Sequence, residues 1–388
     1  MCWQLSWISR PSVALAMLTG CAAGVILLWP RRLLGDNPIS STTSAGAFPM
    51  SFKVRIEPSG HDIEAEAGES LLDAALRQGF VLPYSCRGGR CGTCKGRLLS
   101  GQVDYAGHDT PALSEQEKSQ GLALFCRAQP LSDLVIEAQE ISAAKGIVIK
   151  TLPCRVVTMQ RPAHDVMLLN LKLPQSERLA FLAGQHIDIL LRDGLRRSYS
   201  IANAPHTDET LQLHVRFVPG GLFSGQVFTC MQDKDLLRFQ GPLGTFFVRE
   251  ESQRPIIFVA GGTGFAPIKA MIEHALHSGS QRPMHLYWGV RARRDLYQHA
   301  LPQAWAQTHA GVRYTPVLSE PLPEDAWQGR HGWVHAAVLR DYPDLSAHEV
   351  YACGPPPMIA AIKQTFAQHG LADSALQYDS FDYAQDSS

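Results

Sequence analysis

Apolar and polar residues alternate along several short runs of the chain, and the period of the pattern changes as the chain proceeds. Phe52-Lys-Val-Arg-Ile56 alternates strictly, as a strand with one buried face does, and Leu134-Val-Ile-Glu137 closes the same block with a second strand. From about Cys154 to Val248 short runs recur between turn residues: Cys154-Arg-Val-Val157, Leu168-Leu-Asn-Leu-Lys-Leu173, His186-Ile-Asp-Ile-Leu-Leu191 and Leu211-Gln-Leu-His-Val-Arg-Phe217. That spacing predicts a small antiparallel β-barrel. After about Glu250 the pattern becomes an apolar strand, Pro255-Ile-Ile-Phe-Val-Ala260, then a glycine turn, a helix-period run from Pro267 to His277 and a second strand, Met284-His-Leu-Tyr-Trp-Gly-Val290. This alternation predicts a parallel α/β domain with ligands at the strand carboxyl ends.

The expected organisation is a leader over residues 1–49, a first domain over 50–141, a linker over 142–152, a barrel over 153–250 and an α/β domain over 251–388. The leader has several readings. Residues 11–30 carry no charge and form a marginal membrane span, and Arg31 and Arg32 after it would keep the rest of the chain in the cytoplasm, anchored to the inner membrane. Leu18-Thr-Gly-Cys21 has the look of a lipoprotein processing site. Met50 stands directly before the first strand, so translation beginning there would give a cytoplasmic protein without an anchor.

The length of 388 residues exceeds one average core and fits the multidomain reading. Lysine plus arginine total 35 against 36 acidic residues, a balance that argues against nucleic acid as a partner. Nine cysteines are too few for a disulfide scaffold of this length, and four of them cluster. Cys86, Cys91 and Cys94 form C-x4-C-x2-C and Cys126 follows, the plant-type spacing for a [2Fe-2S] cluster. Gly88, Gly89 and Gly92 let the loop wrap closely and aim backbone N–H groups at sulfur. A structural zinc site is the alternative, but it favours two C-x2-C pairs and one is present. Arg87, Arg90, Lys95 and Arg127 give the ligands a basic rim.

Tyr84-Ser-Cys-Arg-Gly-Gly-Arg-Cys-Gly-Thr-Cys-Lys95 resembles the cluster loop of plant-type ferredoxin domains, which have a β-grasp fold. The resemblance pairs Cys86 with Cys91 on one iron and Cys94 with Cys126 on the other. Arg197-Ser-Tyr-Ser200 resembles the R-x-Y-S flavin motif of the ferredoxin-NADP reductase superfamily. It implies an arginine fork for the FAD pyrophosphate at Arg197, a phenol against the isoalloxazine at Tyr199 and a hydroxyl near its reactive nitrogen at Ser200. Val218-Pro-Gly-Gly-Leu-Phe-Ser224 resembles the second flavin motif, with Gly221 and Ser224 at phosphate oxygens.

Gly261, Gly262, Thr263 and Gly264, followed by Pro267, match the G-G-x-G-x-x-P nicotinamide motif of that superfamily more closely than the Rossmann fingerprint. Tyr351-Ala-Cys-Gly-Pro-Pro-Pro-Met358 resembles its C-G-P motif. The resemblance places Thr263 and Cys353 beside the hydride-donating carbon, Gly354 and Pro355 around the nicotinamide, and Phe381 against the flavin. Surface packing is the other reading of Phe381. The resemblance points to NADH, while Arg291, Arg293 and Arg294 keep NADPH open by offering a grip for a 2′-phosphate.

Arg196 to Pro205, Gly241 to Glu250 and Tyr287-Trp-Gly289 look most like the CDP-6-deoxy-Δ3,4-glucoseen reductases. The reductase components of aromatic-ring and alkane oxygenases share the same domain order and are the alternative. Either resemblance implies electrons passing from NADH through FAD and the [2Fe-2S] cluster, one at a time, to a partner protein, a dehydrase or an oxygenase component. FAD supplies the conversion between hydride and single-electron chemistry. A redox sensor without turnover is a reading of another class.

Overall fold

The computed structural model describes residues 51–144 and 146–381. The readings made on the leader, on an anchor over 11–30 and on a start at Met50 lie outside the described residues. Among those described, no helix is long and apolar enough to cross a membrane.

The first domain is a five-stranded sheet of order His61–Glu66, Ser51–Glu57, Leu134–Glu137, Lys95–Ser100, Leu122–Leu124. Its first strand pairs antiparallel with the second, Val54 opposite Ile63, and parallel with the last, Val54 opposite Leu134. The helix Leu71–Arg77 lies across it, started by Ser70, whose hydroxyl accepts the Asp73 N–H. Leu71, Leu72, Ala74 and Ala75 bury against Val54, Ile56 and Ile136, giving a β-grasp. A gap in this core is filled from elsewhere: Leu243, fully buried, belongs to the barrel and packs into the ferredoxin core.

The barrel is a six-stranded antiparallel sheet of order Arg196–Ser200, His186–Leu190, Leu236–Leu243, Lys150–Ala163, Val166–Lys172, Leu211–Arg216. A bridge between Ile201 and Leu213 brings its two edges together. Leu211, Leu213 and Val215 face inward with Ile187, Ile189 and Phe239, while Gln212 and Arg216 lie partly exposed on the other face. The strand begins at Lys150, inside the stretch expected to be linker; a short 3₁₀ turn, Ser142–Ala144, precedes it.

The third domain is a parallel sheet of order Arg330–His331, Val312–Leu318, Met284–Val290, Ile256–Gly261, Glu349–Gly354, Leu376–Ser380. Its central strand is buried on both faces. Ile256, Phe258 and Ala260 join one core with Phe265, Ile268 and Trp288, whereas Ile257 and Val259 join another with Ile359, Ile362 and Phe366. Helix Phe265–His277 therefore lies on one side and Pro356–Gln368 on the other.

Candidate redox site

The cluster loop folds on two left-handed glycines, Gly89 and Gly92, each at φ +77°. The turn carries the Gly88 and Cys91 N–H groups to 3.4 Å from Cys86 Sγ. The thiols fall into two pairs in hydrogen-bonding reach, Cys86 with Cys91 and Cys94 with Cys126. Contact with Cys91, together with these N–H donors, holds the Cys86 thiol down at about 6 despite its burial. No three of the four sulfurs lie mutually within 4.8 Å. Thiolates about 2.3 Å from one zinc would stand closer together than that. Two pairs set apart suit a two-iron cluster instead, with thiolates supplied by Cys86, Cys91, Cys94 and Cys126.

Cys86 and Cys126 open onto a cavity of ≈ 980 Å³ whose far wall includes Tyr199, Ser200, Thr263 and Phe381. The strand Arg196–Ser200 is placed by its pairing with His186–Leu190, Tyr199 opposite Ile187 and Ser200 opposite His186. The Tyr199 ring leans on Phe223, centroids 5.3 Å apart, and Ser198 Oγ donates to Asp188 at 2.6 Å. Arg197 lines the cavity and donates to the Arg196 carbonyl at 2.8 Å. Gly221 precedes the helix Leu222–Thr229, and the buried Ser224 hydroxyl accepts the Val218 N–H at 3.2 Å, so it also ties its own turn. Arg127 Nε at the wall is buried and has no hydrogen-bond partner among the described residues. A cavity of this volume edged by arginines and a phenol fits a dinucleotide with a flat ring and a pyrophosphate.

The strand Ile256–Gly261 runs into the turn Gly262–Gly264 and then into the helix, with Pro267 in its first turn. A β-carbon on Gly264 would stand 2.0 Å from the Cys353 carbonyl oxygen, and one on Gly261 2.7 Å from Met358 Sδ. The turn and the Cys353-Gly-Pro355 segment therefore meet only because glycines face each other. Trp288 Nε1 donates to the Gly262 carbonyl at 2.9 Å and its ring stacks on Phe265 at 4.0 Å. Thr263 reaches the cavity; Cys353 is fully buried behind it, paired in register with Ala260. Burial pushes the Cys353 thiol well up, with Asp379 adding to the effect, so it stays protonated. Backbone N–H groups at the start of a 13-residue helix suit an anion, which is what a nicotinamide dinucleotide presents.

Phe381 is half-buried, packs on the core of the nucleotide domain and lines the cavity, and its N–H donates to the Gly354 carbonyl at 3.0 Å. Arg291, Arg293 and Arg294 are all exposed. Arg293 donates through its N–H to Asp325 Oδ2 at 3.0 Å, so a carboxylate sits among the arginines.

Several residues at this site carried no motif. His214 and Arg216 reach the cavity from the outer face of the strand Leu211–Arg216. His214 Nδ1 lies 2.8 Å from the Tyr297 hydroxyl, and enclosure pushes its pKa far down, leaving it neutral. Arg216 Nε donates to Asp165 at 2.9 Å. Their signal was the polar half of an alternating strand, which faces solvent in a lone barrel and a second domain here. Asp379 and Ser85 also line the cavity and left no sequence trace.

Known proteins bear on this arrangement in three ways. Residues 54–131 match the 2Fe-2S iron-sulfur cluster binding domain, 153–248 the oxidoreductase FAD-binding domain and 258–364 the oxidoreductase NAD-binding domain. The chain is 41% identical over 332 residues to CDP-6-deoxy-L-threo-D-glycero-4-hexulose-3-dehydrase reductase of Yersinia pseudotuberculosis, covering 86% of this chain and 99% of that one. It is 36% identical to the reductase component of phenol 2-monooxygenase from a Pseudomonas species, covering 87% and 96%. Among solved structures, an Amycolatopsis cytochrome P450 reductase superposes with a TM-score of 0.73 at 35% identity, over 86% of this chain and all of the other. FAD, a [2Fe-2S] cluster and NADH are thus the cofactors of an electron-transferring oxidoreductase, and the chain belongs to the ferredoxin-NADP reductase superfamily, in the branch with an amino-terminal [2Fe-2S] domain.

Proposed function

We propose that this reductase serves a cytoplasmic dehydrase acting on a CDP-linked deoxyhexulose. The observation that carries the reading is 41% identity running almost end to end through a dehydrase reductase, against 36% for the phenol monooxygenase component. The cavity joining Cys86 to Thr263 past Tyr199 and Ser200 supports a common route for both cofactors. Arg197 and the amides at Gly221 hold the FAD pyrophosphate, Tyr199 covers the isoalloxazine and Ser200 hydrogen-bonds its edge. Gly261, Gly262 and Gly264 bring backbone N–H groups to the dinucleotide. Thr263 and Cys353 flank the nicotinamide, Gly354 and Pro355 frame it, and Phe381 closes the flavin face.

Each NADH oxidised to NAD⁺ yields two electrons and a proton; the electrons leave singly through Cys86, Cys91, Cys94 and Cys126 to two equivalents of acceptor, and the proton goes to solvent. The test is anaerobic mixing of the loaded protein with NADH and, separately, with NADPH, followed in the visible spectrum. Purified dehydrase with its CDP-sugar substrate, or a phenol hydroxylase oxygenase with phenol, is then added. Sustained NADH oxidation with the dehydrase supports the reading; oxidation sustained by the oxygenase alone overturns it in favour of the oxygenase branch. Absence of turnover with every protein acceptor and with artificial ones would leave a sensor.

A further inference from the structure

The carboxyl-terminal strand Leu376–Ser380 is the edge of the nucleotide sheet, yet it reaches both other cofactor regions. The Ser85 hydroxyl donates to Asp379 Oδ1 across 294 positions of sequence, and Ser85 directly precedes Cys86. Asp379 is 6% exposed, and desolvation pushes its carboxyl up while His186 and Ser85 oppose the shift. In the sheet it stands opposite Cys353. One residue earlier, the Tyr378 hydroxyl lies 3.9 Å from where a β-carbon on Gly92 would be. Two residues later, Phe381 lines the flavin cavity and is pinned to Gly354.

Among the described residues this carboxyl, buried between domains, takes its hydrogen bond from the Ser85 hydroxyl and has His186 near it, and such burial is costly where an apolar residue would pack the same seam more cheaply. The other flank of Ser85 is already secured, since Tyr84 N–H donates to Thr245 Oγ1 at 3.0 Å and its carbonyl accepts the Thr245 N–H at 3.1 Å. Without Asp379 the chain entering the cluster loop would be held on one side only. Cys86 is the ligand that follows, and it faces the flavin cavity.

We propose that Asp379 is a positioning residue for electron transfer out of the flavin: by holding Ser85 it fixes the backbone of Cys86 relative to the cavity wall formed by Phe381. The nucleotide domain thereby sets the placement of the cluster as well as of NADH. This rests on Cys86 as a cluster ligand and on the cavity as the flavin site.

The test uses the full chain loaded with FAD and cluster, mixed anaerobically with NADH in a stopped-flow instrument that resolves flavin bleaching from cluster reduction. In the unsubstituted protein bleaching precedes cluster reduction; cluster reduction without it overturns the functional reading itself. Asp379→Ala and Ser85→Ala each slow the cluster phase about tenfold, since small misplacements are costly, and slow bleaching far less. The double variant is no slower than either single one, as expected for one shared contact. Asp379→Asn, which keeps an acceptor for the Ser85 hydroxyl, recovers most of the rate. The electron paramagnetic resonance line shape of the chemically reduced cluster stays the same throughout, separating placement from damage. Should Asp379→Ala lose its cluster, Ser85→Ala and Asp379→Asn carry the test. Cluster phases within about twofold of the unsubstituted protein, or slowing that multiplies in the double variant, overturn the proposal.

Discussion

In the cluster loop, Gly89 and Gly92 sit at φ +77°, and a β-carbon on Gly92 would have its nearest neighbour, Ala112, at 3.6 Å. In the nucleotide turn, Gly264 sits at φ −58°, ordinary for any residue, yet a β-carbon there would stand 2.0 Å from a backbone oxygen. Gly92 is needed for its conformation and has room for a side chain; Gly264 is needed for room and has no conformational demand. One loop is shaped by its own neighbours in sequence, and the other by a strand almost ninety positions away. Motifs rich in the same residue thus report different physics, and different substitutions separate them.

The largest expected effect comes from cutting one region away from the other. Cys94→Ser should abolish transfer to a protein acceptor while NADH still bleaches the flavin; retained transfer would mean that electrons bypass the cluster. Next is Gly264→Ala, which forces backbone against backbone at Cys353 and should destabilise the nucleotide domain by about 2–3 kcal/mol and raise the KM for NADH. Thermal unfolding and steady-state kinetics read both. Gly92→Ala should cost only about 1 kcal/mol, the penalty of a left-handed residue, and Gly92→Asn less still. Cluster retention on dilution measures it. Equal costs for Gly264→Ala and Gly92→Ala would erase the distinction between room and conformation.

Acid gives the smallest effect and the finest comparison. His285, between the Tyr342 hydroxyl at 3.0 Å and Thr315 Oγ1 at 2.9 Å, is depressed by burial from 6.5 to about 4. The unfolded chain takes up that proton first, so its contribution is full above pH 6.5 and is lost as pH falls towards 4. Glu117 of the cluster domain is held at about 2, chiefly by Lys95, against an ordinary 4.5, so its contribution persists until pH falls below 4.5. NADH affinity should therefore weaken at a higher pH than the visible circular dichroism of the cluster changes. Coincident transitions would show that neither group governs its region.

What could be read from the sequence follows the same divide. Cys86, Cys91 and Cys94 lie within one loop, so spacing alone carried their chemistry, and Arg197, Tyr199 and Ser200 share one strand. The passage from barrel to α/β domain was legible because the period of the apolar pattern changes there, and the first domain because its four cysteines cluster within it. The start of the barrel at Lys150 was not, since Lys150-Thr-Leu-Pro does not alternate clearly and Pro153 discourages a strand. Asp379, Ser85, His214 and Arg216 were invisible for a different reason. Each is polar where its own element permits polarity, and only the approach of another domain brings it to the cavity.

Leu243 has a consequence for how such chains are recombined. Because this barrel residue completes the ferredoxin core, the cluster domain is not an interchangeable cartridge. A graft that exchanges residues 51–141 for those of a homologous reductase would leave either a hole or a clash at the plug. Chimaeras should carry the segment around Leu243 with the donor ferredoxin, so the seam that inheritance can cut lies inside the barrel rather than at the linker.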